Sequence, residues 1–352
     1  CYLGLWSNLD DRRQNIKLAL KYIRALRNTK LVRISGIYET DPYNCPPESP
    51  RFLNLTAKIK TNLSALSLLN ELKGIESDLG RKDKRKNSRR PIDLDILFYG
   101  NKKINSSRLK IPHPRFKERG FVLKPLKEIA PALIKSLAKE VKVISNIEAM
   151  RKYAAKVKSS GKTIGFVPTM GCLHPGHLSL VRQAKKDCDI CLVSIFVNPI
   201  QFGPQEDYKK YPRDLELDSI LAKSAGCDCI FHPQAEDMYG WGYSTYVNVE
   251  KLTDYLCGAS RLGHFKGVTT VVAKLFNLIR PDIAYFGQKD FQQALVIKKM
   301  VEDLNMPLKI KIMPIIRESD GLAMSSRNVY LNVQERLEAL VLGQSLQKAK
   351  EM

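Results

Sequence analysis

Hydrophobic positions in the N-terminal third of the chain switch between the period of a strand and that of a helix. Residues 2–6, Tyr-Leu-Gly-Leu-Trp, form a short apolar run of strand type. Asp10 or Asp11 can cap a helix in which Ile16, Ala19, Leu20, Ile23 and Leu26 share one face. Residues 31–40 read as a strand, and 41–47 as a loop rich in turn formers. Leu53, Leu55, Ala57 and Ile59 alternate, as in a half-buried strand. Leu66, Leu69, Leu72 and Ile75 return to helical spacing, and Ile92, Leu94, Ile96 and Phe98 alternate again. The order β-α-β-β-α-β predicts a ferredoxin-like α+β domain.

The pattern changes near residues 136–145. Strands are then expected at 163–168, 189–197, 228–231, 282–286 and 308–316, with helices at 175–186, 213–224, 267–279 and 291–304. Regular alternation predicts a Rossmann-like, doubly wound parallel sheet, which binds ligands at the carboxyl ends of its strands. The expected domains are 1–138, 142–316, and 317–352 as the start of a third, smaller one. At 44% hydrophobic and 27% charged residues, the chain has enough apolar material for real cores, which excludes wholesale disorder. No uncharged apolar stretch approaches the ~18–20 residues of a membrane helix. The first ten residues lack the pattern of a secretory signal, so a cytoplasmic location is expected. The chain begins with Cys1 rather than Met, which suggests a trimmed start.

The net charge is +22, and it is concentrated at the front: residues 1–140 carry 30 Lys and Arg against 14 Asp and Glu. Such a balance points to anionic partners, either nucleic acid or phosphorylated small molecules, or to a solvated surface. Residues 81–90 hold seven basic side chains in ten, with no aromatic residue to stack on a base. Cys188 and Cys191, or Cys227 and Cys229, have spacings open to zinc. Cys191 and Cys229 also sit in apolar runs, where cysteine acts as a small buried hydrophobe. The scattered cysteines form no disulfide framework, and a reducing compartment fits them better.

Asp93-Leu-Asp95 is the sharpest chemical feature of the first half. Residues i and i+2 of a strand share a face, so the two carboxylates sit side by side while Ile92, Leu94 and Ile96 face the core. Such a pair suits Mg²⁺ with phosphate oxygens and waters, or it is simply the wet face of a sheet. The stretches 2–9, 38–42, 52–54, 90–100 and 112–121 resemble, in order, those of 6-hydroxymethyl-7,8-dihydropterin pyrophosphokinase. The resemblance covers residues 1–135. It implies that Asp93 and Asp95 hold two Mg²⁺ ions bridging ATP and the acceptor hydroxyl. Arg81, Arg90, His113 and Arg119 would neutralise phosphate oxygens. Asn54 would bond the pterin edge, Phe121 would stack on its ring, and Thr40 and Pro42 would line the same pocket. Glu76 matches an acidic position near the catalytic loop. Two departures are visible: Trp6 stands where the family usually has Gly, and the loop 87–90, Asn-Ser-Arg-Arg, lacks the family's Trp.

In the second half, Thr169-Met-Gly-Cys-Leu-His-Pro-Gly-His177 follows an expected strand. Pro175 suits a first helical turn, whose free N–H groups can hold an anion. His174 and His177 could contact a nucleotide, ligate a metal or be structural, and Gly176 suggests close approach by a phosphate. The stretches 194–202, 207–213, 258–268, 274–277, 286–293 and 322–328, with 168–171, resemble those of pantothenate synthetase, the pantoate–β-alanine ligase. The resemblance covers residues 142–352. It implies that pantoate attacks the α-phosphorus of ATP and that β-alanine then takes up the acyl group. His174 and His177 would stabilise the developing charge. Lys289, Ser325, Ser326 and Arg327 would hold the β- and γ-phosphates with Mg²⁺. Gln201 and Gln293 would grip pantoate, while Met170, Gly287 and Asp290 would belong to the ATP site. Leu262 replaces a usual Pro. The family continues past the Ser-Ser-Arg segment into a small domain, whereas 328–352 reads as one or two helices, so weak retention of the adenylate is expected.

The two resemblances together predict a bifunctional enzyme with Mg²⁺ as cofactor, ATP as co-substrate and small-molecule partners. Neither nucleic acid nor membrane is expected as a partner, and a homodimer through the second domain is possible on the same grounds. A chain with only one active half is the alternative reading.

Overall fold

The computed structural model describes residues 1–42, 49–81 and 89–352. Most of the basic run, 82–88, and most of the expected loop, 43–48, lie outside the described residues. The chain divides into two compact units. One comprises Cys1–Leu137, Arg317–Leu322 and Ala339–Met352, the other Ala138–Ile316 and Ala323–Glu338.

In the first unit, β1 (Tyr2–Ser7), β2 (Thr29–Ile34), β3 (Tyr38–Thr40), β4 (Phe52–Thr61) and β5 (Asp93–Phe98) form an antiparallel sheet. Its order is β2-β4-β1-β5, with β3 also on β4, which is the ferredoxin-like arrangement. The strand expected at 31–40 is two strands. Both pair with β4, and the gap is held by Ser35, whose N–H donates to Thr56 O and whose Oγ accepts from Thr56 N–H. Helix α1 (Arg12–Ala25) starts at Asp11, whose carboxylate accepts the Gln14 N–H at 2.9 Å. Ile16, Ala19, Leu20 and Ile23 are its buried face, and Leu26 already has extended backbone. Helix α2 (Ala65–Asp78) buries Ala65, Leu68, Leu72, Ile75 and Glu76. The expected face was off register: Leu66 is exposed, because Leu66, Leu68, Leu69 and Leu72 offer two overlapping helical stripes and packing selects one. A short hairpin of β6 (Ile104–Asn105) and β7 (Lys110–Ile111) follows, then α3 (Gly120–Ile129) and α4 (Pro131–Ala138).

The second unit has a six-stranded sheet, parallel throughout: β8 (Lys142–Ile144), β9 (Ile164–Thr169), β10 (Ile190–Ile195), β11 (Cys229–Phe231), β12 (Ile283–Gly287) and β13 (Lys309–Met313). The order β13-β12-β9-β10-β11-β8 places β10 and β12 on opposite sides of β9, so the connectivity reverses there. Such a reversal opens a crevice at the strand ends. The principal helices are α5 (Ile147–Ser159), α6 (Pro175–Asp187) and α7 (Leu215–Ser224). The short α8 (Ala235–Met238) and α9 (Cys257–Ser260) precede α10 (His264–Ile279), α11 (Phe291–Asp303) and α12 (Val333–Glu351). Cys191 and Cys229 are fully buried in β10 and β11, as small hydrophobes of the core. No helix among the described residues is long and apolar enough to cross a membrane.

Candidate active sites

The period of β5 fixes the first site. Leu94 and Ile96 go into the core, and Asp93 and Asp95 face a cavity that Arg90, Arg119, Asn54 and Trp6 also line. Arg81 Nη1 lies 2.5 Å from both Asp93 Oδ1 and Glu76 Oε2, and Arg90 Nη1 lies 2.6 Å from Asp93 Oδ2. Burial alone would raise the Asp93 pKa, but the guanidinium groups of Arg81 and Arg90, with Lys73, outweigh it and hold the carboxyl below its ordinary range. Glu76 is buried, and burial raises its pKa despite the pull of Lys73 at 2.6 Å. Its Oε1 accepts the Leu94 N–H at 2.7 Å, so it clamps the backbone between the two aspartates.

Asp95 is held differently. The Trp6 indole Nε1–H donates to its Oδ2 at 3.1 Å, while His113 Nε2 and Arg119 Nη1 stand 3.8 and 4.0 Å from the same oxygen. Burial pushes the His113 pKa down, and the charges of Arg119 and Arg115 add to that against the pull of Asp95. Thr40 and Phe121 line the cavity. Phe121 meets the Trp6 ring edge-on with centroids 5.5 Å apart, and the Arg119 guanidinium lies 5.7 Å from its ring. The Asn54 amide nitrogen donates to Tyr38 O and Thr40 Oγ1, leaving Oδ1 as its acceptor for a ligand. Arg81, His113 and Pro42 do not line the cavity; the first two touch its carboxylates, and Pro42 borders the segment outside the described residues.

The second site occupies the crevice at the ends of β9, β12 and β13. Its cavity takes in Met170, His174, His177 and Gln201 from the β9 side, and Gly287, Lys289, Asp290 and Gln293 from the β12 side. Ser325, Ser326 and Arg327 complete the wall, so every residue expected at this site reaches one cavity. The turn before α6 is tight, with Gly171 at φ 86° and Cys172 at φ 51°. Buried Asp218 clamps it, accepting the Cys172 and Leu173 N–H groups at 2.8 and 2.7 Å. His174 and His177 stack with ring centroids 3.9 Å apart. Burial first, then its neighbours His177 and Lys289, push His174 down to about 2. Burial and Lys289 push His177 down to about 4, so both imidazoles are neutral at physiological pH. Gly176 differs from expectation: a Cβ there would lie 2.9 Å from His174 Cε1, so the glycine makes room for the imidazole itself.

The remaining groups are mostly held by protein partners. Arg327 pairs in fork geometry with Asp207, at 2.9 and 2.8 Å, and Ser326 Oγ lies 3.0 Å from Tyr211 OH. Ser325 Oγ accepts the Arg327 N–H at 3.2 Å. Gln201 is buried, its Oε1 accepting from Asn198 and its Nε2 lying 3.0 Å from Met170 Sδ. Lys289 and Asp290 form a 3.0 Å ion pair.

The sequence model for pantoate-beta-alanine ligase matches residues 142–352. The chain belongs to the pantoate-beta-alanine ligase family. Ahead of that match, the model for 7,8-dihydro-6-hydroxymethylpterin-pyrophosphokinase covers residues 2–131, so the chain joins domains of two enzymes. A pantothenate synthetase of Heliobacterium modesticaldum is 59% identical over 212 residues, which is 60% of this chain and 75% of the relative. One from Thermoanaerobacter sp. is 63% identical over 210 residues, covering 60% and 74%. The crystal structure of pantoate-beta-alanine ligase from Thermus thermophilus superposes with a TM-score of 0.56 at 50% identity, covering 59% of this chain and 74% of that one.

The structure adds residues to the ligase cavity that its motifs did not single out. Tyr211, Arg261 and His264 line it. Arg261 pairs with Glu206 through two 2.7 Å contacts, and His264 Nδ1 lies 2.9 Å from Gln201 O. Tyr211 and Arg261 fall within the stretches that carry the ligase resemblance, so the signal was present, but only partner geometry gives them a task. Leu262, where the ligases usually have Pro, is exposed just before α10.

Proposed function

We propose that the chain carries out two ATP-dependent reactions at separate sites. At the first, the hydroxymethyl oxygen of the dihydropterin attacks the β-phosphorus of ATP; the bridge to the α-phosphorus breaks and AMP leaves. At the second, a pantoate carboxylate oxygen attacks the α-phosphorus and pyrophosphate leaves. The amine of β-alanine then attacks the acyl carbon, and AMP leaves with pantothenate formed.

The observation that carries this reading is the gathering of the ligase-type residues on one cavity, with a separate cavity built around Asp93 and Asp95. The carboxylate pair fits Mg²⁺ carried in with a nucleotide: two oxygen-bearing side chains leave the remaining positions to phosphate and water. Asp93 and Asp95 would hold it, and when bound it would spread the charge of the transferring group. Arg90 and Arg119 would receive phosphate oxygens, Asn54 Oδ1 would orient the pterin edge, and Phe121 would cover its ring. In the ligase cavity, His174 and His177 enter the reaction neutral, so they act as hydrogen-bond donors to phosphate. Arg327 would exchange Asp207 for phosphate oxygens, and Gln201 and Gln293 would orient pantoate.

The test uses one purified preparation. ATP with hydroxymethyldihydropterin should yield AMP and the pterin pyrophosphate. ATP with pantoate should release pyrophosphate, and adding β-alanine should give pantothenate. ATP consumption with neither acceptor, or only with added nucleic acid, would overturn the reading.

A further inference from the structure

The two aspartates of β5 are gripped by chemically different partners. Asp93 has guanidinium nitrogens within 2.6 Å of each oxygen. Asp95 has as its nearest partner the neutral indole N–H of Trp6, with the imidazole and guanidinium of His113 and Arg119 at 3.8 Å or beyond. Strand register explains how Trp6 gets there. Trp6 faces Asp93 across the β1–β5 pair, and Gly4 faces Asp95. The indole folds back over Gly4, so closely that a Cβ on residue 4 would sit 2.1 Å from Trp6 Cζ2. Glycine at 4 thus lets the ring reach diagonally to Asp95. The ring is 4% exposed and braced by the edge of Phe121, so its N–H points to one place.

We propose that Trp6 is a positioning residue for the pyrophosphokinase site, holding Asp95 by Oδ2 so that Oδ1 is presented to the metal of the incoming nucleotide. A neutral donor fixes a carboxylate without spending its charge, whereas a guanidinium would compete with the cation for it. The division of labour follows: Asp93 is pre-neutralised and anchors the basic residues, and Asp95 keeps its negative charge for the cation. This inference rests on the pyrophosphokinase reading of the first site.

The test compares Trp6→Phe, which keeps an aromatic ring and removes the N–H, with Gly4→Ala, which keeps the indole and displaces it. Two quantities are read: the half-saturating Mg²⁺ for pyrophosphoryl transfer, and the half-saturating Mg²⁺ for binding a non-hydrolysable ATP analogue, by calorimetry. Both should rise by about 3–10-fold in each variant, the scale of one lost hydrogen bond, with the pterin KM within about twofold of wild type. Unchanged Mg²⁺ dependence in Trp6→Phe, or a raised pterin KM with no metal effect, would overturn the proposal. Fluorescence supplies a readout needing no variant. Trp6 is buried and Trp241, the other tryptophan, is fully exposed, so iodide quenching separates them. Mg²⁺ with the analogue should alter the unquenched emission, and no change would count against the tether. Asp95→Asn tells the two levels apart: if it leaves transfer intact the site reading fails, and if it is inactive while Trp6→Phe is normal only the tether fails.

Discussion

In the first unit, guanidinium groups sit directly on a carboxylate of an antiparallel strand; in the second, the stacked side chains at the strand ends are imidazoles that burial keeps neutral. Both arrangements face a polyphosphate, yet they distribute charge in opposite ways. A site for a metal-bound nucleotide needs anions on its floor, and those anions need cations behind them in the free protein. A site at the ends of parallel strands starts with free N–H groups and a helix N-terminus, so neutral donors suffice there. Its strong cations, Arg261 and Arg327, wait on Glu206 and Asp207.

The comparison is broken most severely by removing the floor. Asp95→Asn should abolish pyrophosphoryl transfer while pantoyl-adenylate formation stays within about twofold, because loss of one metal-facing charge has no counterpart in the other cavity. The readout is AMP release with each acceptor in turn. Lys289→Ala should lower pantoyl-adenylate formation by about 10²-fold, the scale of one donor to developing charge, and leave the pterin reaction alone. Pantoate-dependent pyrophosphate release checks it.

A smaller effect sharpens the contrast through pH. Asp218, which clamps the turn ahead of His174, is pushed up to about 6 by burial, with Asp214 adding and the Leu173 and Cys172 N–H bonds opposing. The carboxylate that accepts both N–H groups prevails above that value. Adenylate formation should therefore fall several-fold as pH drops through about 6, and Asp218→Asn should flatten that limb at a lower plateau. His174 and His177, at about 2 and about 4, do not titrate there. Stability has the opposite sign. The folded-state pKa is raised above the ordinary 3.8, so the contribution of Asp218 is full below about 4 and is lost as pH rises through about 6. Kinetics of pyrophosphate release and thermal midpoints over the same pH series check both signs.

Much of this was legible in the chain because it rests on local period or local motif. Asp93 and Asp95 share a face by strand geometry alone, and the ligase residues cluster because their motifs follow strands whose carboxyl ends converge. What escaped is of two kinds. Strand β8 has one buried side chain, Ile144, and two exposed ones, so its three residues carry no apolar signal; pairing with β11 makes it a strand. The indole tether joins residues 89 apart and the Arg327–Asp207 fork joins residues 120 apart, and no period in a sequence encodes such partners. Gly176 misled for a related reason: the atom it accommodates belongs to a neighbouring side chain, not to a ligand.

The most direct test of two independent sites is a crossed assay of Asp93→Asn and His177→Ala, each variant measured in both reactions under saturating ATP. The account predicts that Asp93→Asn loses the pterin reaction and retains pantoate-dependent pyrophosphate release, and that His177→Ala does the reverse. Parallel loss of both activities in either variant, with the thermal midpoint unchanged, would contradict it.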